Sequence, residues 1–274
     1  MNYKIALFSD IHLEHSNFHP HSLDADVVVV AGDLQAGPKP EYGVYFLQQA
    51  FPDKPVIYVP GNHEFECTRI VEALERMKEA AQGSLVQVLH NETYDFGGVR
   101  FLGTPLYSGF RSLGEGEERQ KLMERCKVIS DFSNTVVRKG EPWTPWVMSD
   151  WHDEACAWLS GELEECLLED IPSVVVTHWA PSLQSMDPRF NDEFSGYWLN
   201  PCEGLVQRAH LWLHGHIHSS AEYHLGVDPH KGWVYCNPRG YSKLMDLSPN
   251  PHFKNPKIIQ VPGWKIKPNL KPNF

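Results

Sequence analysis

The sequence lacks the features that are typical of nucleic-acid-binding proteins and of membrane proteins. It has 24 lysines and arginines against 35 aspartates and glutamates, a formal net charge of −11. Because it has no excess of positive charge to neutralise phosphates, we expect no binding of extended DNA or RNA. No apolar run reaches the roughly 18–20 residues of a membrane span, so we also expect no membrane association.

Cysteines are few and widely spaced. The six of them, at positions 67, 126, 156, 166, 202 and 236, form no CxxC pair. This spacing argues against a disulfide scaffold and against a zinc ribbon, and it suits a reducing compartment. The opening residues MNYKIALFSD run into a strand pattern without a signal-peptide apolar segment. We therefore expect a cytoplasmic protein.

Internal repeats and low-complexity segments are also absent from the 274 residues, 42% of which are hydrophobic. A chain of this length and composition is long enough to bury one large core, and we predict a single domain over residues 1–274. Residues 105–148 interrupt the pattern with glycines, prolines and a charged helical stretch, and we expect them to form a cap insertion. The proline-rich tail, 249–274, is expected to be a surface strand or wrap.

Short apolar runs alternate with helical patterns along the chain. The runs are KIALF (4–8), DVVVV (26–30), PVIYV (55–59), SVVV (173–176) and LWL (211–213). Continuous apolar runs of this length are typical of strands that are covered on both faces. Helices are predicted over 66–83 and 150–170. The alternation predicts an α/β fold in layers.

Polar residues that commonly ligate metals follow each of the five runs. The continuations are SDIH (9–12), AGD (31–33), PGNHE (60–64), THWAP (177–181) and HGHIH (214–218). Open α/β sheets place their sites at the carboxyl ends of the strands. Since side chains alternate along a strand, Asp10 and His12 share one side. The five continuations could therefore meet at one rim.

Each of these motifs also has a purely structural explanation. The DxH pair could cap a turn, GNHE could be a loop that begins a helix, and HGHIH could be a surface strand with a glycine bulge. Five independent strand ends that all carry Asp, Asn or His are harder to explain by solvation alone. The joint pattern favours a metal site.

The motifs DIH, GD, GNHE, H and GHIH, in this order over residues 5 to about 240, resemble those of the calcineurin-like metallophosphoesterases. The resemblance implies a four-layer αββα sandwich of two mixed sheets with a binuclear metal centre at the carboxyl ends of the strands. Asp10, His12 and His218 would hold one ion; Asn62, His178 and His216 would hold the other; Asp33 would bridge them and take part in catalysis, and His63 would be the catalytic histidine. The stretch CNPRGY (236–241) resembles the Asn-Pro turn of bacterial members.

The residue types suit this chemistry. Mixed carboxylate and imidazole ligands favour divalent transition metals, and we expect two ions, Mn²⁺ first, with Fe, Zn, Co or Ni as alternatives. Two ions about 3.5–4 Å apart can share a hydroxide that attacks phosphorus. Asn62 adds a neutral ligand, and His63, beside the ions, could donate a proton to the leaving group or clamp charge. The start of the predicted helix at 64–83 would also favour a phosphate.

For the other residues, the sequence gives less support for a role at the metal site. His214 is expected to be structural, or to support a ligand, and Glu64 and Glu66 are as readily surface residues that complement a helix dipole as functional ones. The histidines at 15, 19 and 21 are expected on the rim. Arg239 and Arg189 are the candidates for substrate contact, Arg239 first. For Tyr107, Arg111, Trp143, Trp146 and Trp179, packing or surface charge is the simpler explanation.

Differences between this chain and the motifs of the protein Ser/Thr phosphatases narrow the expected substrate class. Protein Ser/Thr phosphatases read GDxVDRG and GNHExR, whereas this chain has GDLQAGP (32–38) and GNHEFE (61–66). Ala36 replaces the aspartate that partners the catalytic histidine, while Gly37 and Glu66 replace two phosphate-binding arginines. We expect a phosphodiesterase that acts on small or nucleotide-type diesters. The alternatives are a phosphomonoesterase, an inactive scaffold of the same fold and a purely structural metal site, and the oligomeric state stays open.

Overall fold

A computed structural model describes residues 3–187, 193–241 and 249–261. In chain order its elements are β1 (Tyr3–Phe8), β2 (Val27–Ala31), α1 (Glu41–Ala50), β3 (Val56–Val59), α2 (Ile70–Ala81), β4 (Val86–Val88), β5 (Glu92–Phe96), β6 (Val99–Gly103), α3 (Glu117–Cys126), α4 (Ser130–Asn134), β7 (Val136–Arg138), β8 (Glu141–Pro142), α5 (Pro145–Leu168), β9 (Ser173–Val176), α6 (Ser195–Trp198), α7 (Glu203–Val206), β10 (Leu211–His214), β11 (Ala221–His224), β12 (Trp233–Cys236) and β13 (Lys257–Val261). Short 3-10 turns cover His63–Phe65 and Leu183–Ser185.

Two large sheets carry the fold. One has the order β13-β1-β2-β3-β4, the other β11-β12-β10-β9-β6-β5, and β7 and β8 form a small hairpin. In the first sheet β1 to β4 are parallel and β13 is an antiparallel edge. In the second, β12, β10, β9 and β6 are parallel between the antiparallel edges β11 and β5. Both sheets are therefore mixed, as predicted.

The strands are buried on both faces, as their continuous apolar runs predict. Val27 and Val29 pack in the cluster between the two sheets, whereas Val28 and Val30 pack in a cluster with Leu47 of α1 on the outer face. On the other sheet Val174 and Val176 face inward, and Val175 packs in the outer cluster that also holds Leu159 of α5. Helices thus cover both outer faces, which gives the predicted αββα layers.

The two long helices differ from their predicted bounds. Helix α2 begins at Ile70 and not at 64–66, because residues 63–65 form a 3-10 turn. The expectation that a helix start at 64 would face a phosphate is therefore wrong. Helix α5 begins earlier than predicted, at Pro145, where the Thr144 side chain accepts a hydrogen bond from the Val147 amide. A proline at the first position and a threonine cap favour this start.

Residues 105–148, the expected cap, hold α3, α4 and the β7-β8 hairpin. Leu122, Met123 and Trp143 are buried in the cluster on the outer face of the six-stranded sheet. The hairpin reaches α2 through a bridge between Arg69 and Val136. The buried residues of this segment thus pack into the body of the structure, while residues 113–118 are exposed. Its function as a cap stays a prediction, as does the single domain over 1–274.

The C-terminal segment forms part of the first sheet. Residues 257–261 form β13, which pairs with β1 from Tyr3↔Val261 to Leu7↔Lys257. The expected surface strand therefore exists at these positions, and the rest of the tail, 262–274, lies outside the described residues. Within the described part of the chain, none of the helices is both long and apolar enough to cross a membrane.

Candidate metal centre

The carboxyl ends of the parallel strands of both sheets meet at one edge of the sandwich. Asp10, Asp33 and Asn62 follow β1, β2 and β3 of the five-stranded sheet, and His178 and His216 follow β9 and β10 of the other. A bridge between Ser9 and Pro238 connects the two sheets at this edge. The structure brings all seven candidate ligands together here.

The first group consists of Asp10, His12, Asp33 and His218, whose ligand atoms lie within 4.8 Å of one another. Nε2 of His12 is 3.2 Å from Nε2 of His218, and Nε2 of His218 is 3.4 Å from Oδ1 of Asp10. Ligands on one ion at about 2.1 Å lie about 3.0–3.4 Å apart when the angle between them is 90–109°. The observed separations match those of ligands around a single ion.

The second group consists of Asp33, His178 and His216, again with ligand atoms within 4.8 Å of one another. Nε2 of His178 lies 3.2 Å from Oδ2 of Asp33, 3.1 Å from Nδ1 of His216 and 3.2 Å from Oδ1 of Asn62. Asp33 belongs to both groups, since the same Oδ2 lies 3.9 Å from Nε2 of His12. Its carboxylate is thus in a position to bridge two ions.

The hydrogen bonds of the histidine nitrogens that point away from the centre are consistent with metal binding. Nδ1 of His178 lies 2.9 Å from the carbonyl of Ala31, and Nδ1 of His12 lies 2.8 Å from Oε1 of Glu14. Both nitrogens face acceptors and donate to them, so in the neutral imidazole the lone pair of Nε2 points toward the centre. Donor types, spacing and tautomers therefore fit two divalent cations.

Five of the seven candidate ligands have a left-handed backbone. The φ angles are 51° for Asp10 and His12, 52° for Asp33, 73° for His216 and 47° for His218. Non-glycine residues seldom adopt this region, and such conformations gather at functional sites. They turn the chain sharply after each strand, so residues that alternation alone would place along a strand converge on one point.

Two glycines beside the ligands leave no room for a side chain. A Cβ at Gly61 would collide with the carboxylate of Asp33 and with the ring of His178. A Cβ at Gly215 would lie 2.7 Å from Oδ2 of Asp10 and 2.5 Å from the carbonyl of Ala31. The glycines of the GNHE and HGHIH motifs are therefore needed so that the backbone can approach the ligands.

Charge at the centre is set by burial and by the neighbouring side chains. Burial would raise the pKa of Asp33, but the imidazoles of His178 and His63 hold it well below its usual range. Burial would likewise raise the pKa of Asp10, and the side chain of His218 lowers it. Burial lowers the pKa of His216. The carboxylates are thus ionised and His216 is neutral, the forms that bind metal.

His63 lies beside this cluster. Its Nε2 lies 4.0 Å from Oδ2 of Asp33 and 3.2 Å from the hydroxyl of Tyr241. Its Nδ1 faces two carboxylates, Glu14 at 3.6 Å and Glu66 at 3.8 Å. Burial alone would lower the pKa of His63, but Asp33, Glu14 and Glu66 raise it to about 10. The three carboxylates therefore favour the protonated form of this imidazole.

Glu64 is a buried scaffold and not a surface residue. It is 0% exposed, and its carboxylate accepts hydrogen bonds from the backbone amides of Asp33 at 3.1 Å, Leu34 at 2.6 Å and Gly61 at 2.7 Å. The hydroxyl of Tyr58 donates to the same carboxylate at 2.6 Å. Glu64 thus ties the loop of Asp33 to the loop of Asn62, so its expected role at the surface of a helix start is wrong.

Asp131, from the predicted cap, orients Asn62. The Asn62 amide nitrogen donates to Oδ1 of Asp131 at 3.3 Å, while the Tyr197 hydroxyl donates to the other oxygen of Asp131. Because the amide nitrogen is held on this side, Oδ1 of Asn62 faces His178 and the centre. The neutral ligand is thereby presented with its oxygen toward the centre.

The two arginines predicted to touch substrate have different outcomes. The guanidinium of Arg239 donates to the carbonyls of Ile11, Ser16 and Asn17 at 2.9, 3.3 and 3.1 Å. Arg239 thus stabilises the loop that follows β1. Its contact with substrate stays a prediction. Arg189 lies outside the described residues.

The other residues singled out by the sequence lie mostly in packed or paired positions. His214 is buried, with Nε2 at 2.8 Å from the Ser185 hydroxyl, and it belongs to neither group of ligands. Tyr107 and Trp143 pack against each other with ring centroids 5.3 Å apart in the core. Arg111 pairs with Asp153 at 2.6 Å. His19 and His21 are exposed, and His15 and Trp146 are half-buried.

The sequence patterns gave no role to three residues that lie near the centre: Glu14, Asp131 and Tyr241, the last residue of the CNPRGY stretch. Glu14 stands two residues after His12, and that closeness to a DxH motif was its only local signal. Asp131 and Tyr241 come near the centre only through the fold, because 69 residues separate Asn62 from Asp131 and 178 separate His63 from Tyr241.

Comparison with known proteins agrees with this geometry. The sequence matches the model of the calcineurin-like phosphoesterases over residues 3–220. A crystal structure of a phosphopantetheinyl hydrolase from Mycobacterium tuberculosis is similar in fold, with a TM-score of 0.69 and 20% identity over 99% of each chain. A dimetal phosphatase from Danio rerio has a TM-score of 0.50 and 13% identity, over 85% of this chain and 86% of that one. No curated protein is significantly similar in sequence.

The matched segment runs from β1 past the last histidine of the HGHIH motif, so it contains all five motifs. The same motifs provide the clustered aspartates and histidines that could hold metal. The chain therefore belongs to the calcineurin-like phosphoesterase family and is a metal-dependent phosphoester hydrolase.

Proposed function

We propose that this hydrolase is a binuclear phosphodiesterase that acts on small or nucleotide-type phosphodiesters. The observation that carries the proposal is the charge beside His63. Glu66, whose carboxylate lies 3.8 Å from Nδ1 of His63, stands where protein phosphatases have an arginine that holds the phosphate dianion. A carboxylate at this position disfavours a substrate with two negative charges more than one with a single charge.

Two ions would be held by the seven residues. Asp10, His12 and His218 would bind one, Asn62, His178 and His216 the other, and Asp33 both. When bound, such a pair supplies an activated water and neutralises charge on the phosphoryl oxygens. Mn²⁺ is our first candidate because the ligands combine carboxylate, amide oxygen and imidazole, a set that other divalent transition metals also suit.

His63 would then act on the leaving group. It lies beside Asp33 without belonging to either group of candidate ligands, and its Nε2 faces the centre, 4.0 Å from Oδ2 of Asp33. Glu14 and Glu66 at Nδ1 keep the ring protonated and oriented. From this position Nε2 can donate a proton to an alkoxide as it departs, the step that a poor leaving group requires.

The cations near the centre also favour a diester. Gly37 has no side chain to replace the second phosphatase arginine. In the part of the chain that the structure describes, Arg239 is occupied by the loop after β1 and Arg111 by Asp153. Among the described residues, the site therefore has few free arginine donors for a phosphate dianion.

The test compares matched substrates. With Mn²⁺ supplied, bis(4-nitrophenyl) phosphate should exceed 4-nitrophenyl phosphate in kcat/KM by more than about tenfold, which corresponds to about 1.4 kcal/mol. Phosphoserine and phosphothreonine peptides should be negligible substrates. The Glu66→Arg variant should shift the ratio toward the monoester, whereas Glu66→Gln, the matched control, should shift it less.

Equal efficiency on both aryl esters, with no change in Glu66→Arg, would favour the alternative, a phosphomonoesterase. No turnover above the metal-ion background would favour a scaffold.

A phosphopantetheinyl ester belongs in the substrate panel, since the phosphopantetheinyl hydrolase is similar over the whole chain, although its identity of 20% speaks for the fold alone. We place the activity in the cytoplasm, in keeping with six free cysteines.

A further inference from the structure

A second cluster of metal-ligand types lies away from the binuclear centre. It consists of His152 and Cys156 on α5 and Cys202 just before α7, with ligand atoms within 4.8 Å of one another. We propose that these three residues bind a single Zn²⁺ ion, which fastens α5 to the loop that follows His178. This site is independent of the proposed phosphodiesterase activity.

The separations between the ligand atoms fit one tetrahedral ion. The Sγ atoms of Cys156 and Cys202 are 3.9 Å apart, and Sγ of Cys156 is 3.4 Å from Nε2 of His152. With Zn–S of about 2.3 Å and Zn–N of about 2.0–2.1 Å, tetrahedral angles give about 3.8 Å and about 3.6 Å for these two separations. Each observed distance is within about 0.2 Å of that expectation.

The histidine is held in the tautomer that a ligand needs. Nδ1 of His152 donates to the carbonyl of Leu106 at 2.9 Å, so its Nε2 carries the lone pair toward the two sulfurs. Leu106 has a φ of 72°, a left-handed conformation that is rare for leucine and turns this carbonyl toward the helix. Gly109 lies close to the same ring, where a Cβ would come within 2.6 Å of Cδ2 and 2.8 Å of Nε2.

Charge and burial favour a soft divalent ion. His152 and Cys202 are 4% and 8% exposed, and Cys156 is half-buried, which leaves a path for the ion and for a water as fourth ligand. Two thiolates and a neutral imidazole would balance Zn²⁺, and nearby Arg111 is already paired with Asp153.

The position suggests what the ion does. The amide of Cys202 donates to the carbonyl of Pro181 at 2.9 Å, and Pro181 is three residues beyond His178. Residues 180 and 199 form a bridge in the same loop. An ion on Cys202, Cys156 and His152 would therefore hold α5 against the loop that carries a ligand of the binuclear centre.

Cobalt substitution tests the site, because Co²⁺ bound by thiolate has a charge-transfer absorption that the binuclear centre, which has no cysteine, cannot produce. The wild-type chain and Cys166→Ser, a control that changes a buried cysteine on the same helix, should both show this band. Cys156→Ser and Cys202→Ser should lose it, and each should hold one cobalt fewer per chain than the control.

Absence of the band in the cobalt-loaded wild-type chain would overturn the proposal, and that measurement needs no variant to fold. A disulfide between Cys156 and Cys202 in peptides from the purified protein, with metal content unchanged in both serine variants, would also overturn it. Neither measurement depends on the phosphodiesterase rate. The zinc site and the proposed phosphodiesterase function can therefore be overturned independently of each other.

Discussion

The Glu14 carboxylate reaches the catalytic histidine candidate from the first motif, with Oε1 3.6 Å from Nδ1 of His63. Its other oxygen accepts a hydrogen bond at 3.1 Å from the amide of Ala36, the residue that replaces the aspartate of the protein phosphatases. The carboxylate next to Ala36 is thus provided by a different segment of the chain. We therefore expect Glu14 to take the place of that aspartate beside His63.

This relationship predicts the behaviour of Glu14→Gln. Loss of the carboxylate should slow turnover by about 10–100-fold, the usual effect of changing a group that orients a ligand or catalytic histidine. Glu66→Gln changes a more exposed carboxylate 3.8 Å from the same Nδ1 and should cost less. Steady-state rates and metal content, measured together, check this. Equal rates in the two variants would show that Glu14 does not orient His63.

His63→Ala should retain both metals while slowing turnover by roughly 10²–10⁴-fold, the usual contribution of a general acid. The loss should increase with the pKa of the leaving group, because a poor leaving group depends most on the donated proton. A series of aryl diesters measures this slope. A uniform loss would instead assign His63 to charge clamping, and loss of metal would make it a ligand.

Asp33 is predicted to matter more for metal content than any neutral ligand. Asp33→Asn removes the charge of the one residue that belongs to both groups, whereas Asn62→Ala removes a neutral ligand of one ion. We expect Asp33→Asn to show the larger decrease in metals per chain and in activity. Elemental analysis that finds two tightly held metals in Asp33→Asn would contradict the bridge.

Asp131 should affect the second ion through Asn62. In Asp131→Ala the amide of Asn62 loses the acceptor that fixes its orientation, and the affinity for one of the two metals should fall by about 10–100-fold. Asp131→Asn keeps an oxygen at this position and should be milder. Metal titrations of the two variants distinguish them, and wild-type affinity in Asp131→Ala would rule out the orienting role.

The sequence predicted the parts of the fold that depend on local patterns. Short apolar runs marked β1, β2, β3, β9 and β10, because strands covered on both faces need apolar residues at every position. The motif order correctly indicated which strand ends would meet. The start of α2 was misplaced, since a 3-10 turn and a helix start have similar composition around His63.

Contacts between distant segments could not be predicted in this way. Glu64 seemed a surface residue because it follows a turn, yet four backbone amides and a tyrosine hydroxyl surround its carboxylate. Asp131 stands in a charged segment with no motif. Cys156 and Cys202 are 46 residues apart and still lie side by side. Only the packing of the elements determines such neighbours.

The candidate ligands are divided between the two sheets, and that division has a consequence for the protein's lifetime. Asp10, Asp33 and Asn62 follow strands of one sheet, and His178 and His216 follow strands of the other. Ions held by both sets would join the sheets at this edge. Under metal shortage each sheet would keep its own hydrogen bonds and the bridge between Ser9 and Pro238 would remain, but the loops after the strands would lose the connection that the ions provide. We therefore expect limited proteolysis of the metal-free chain to begin in these loops.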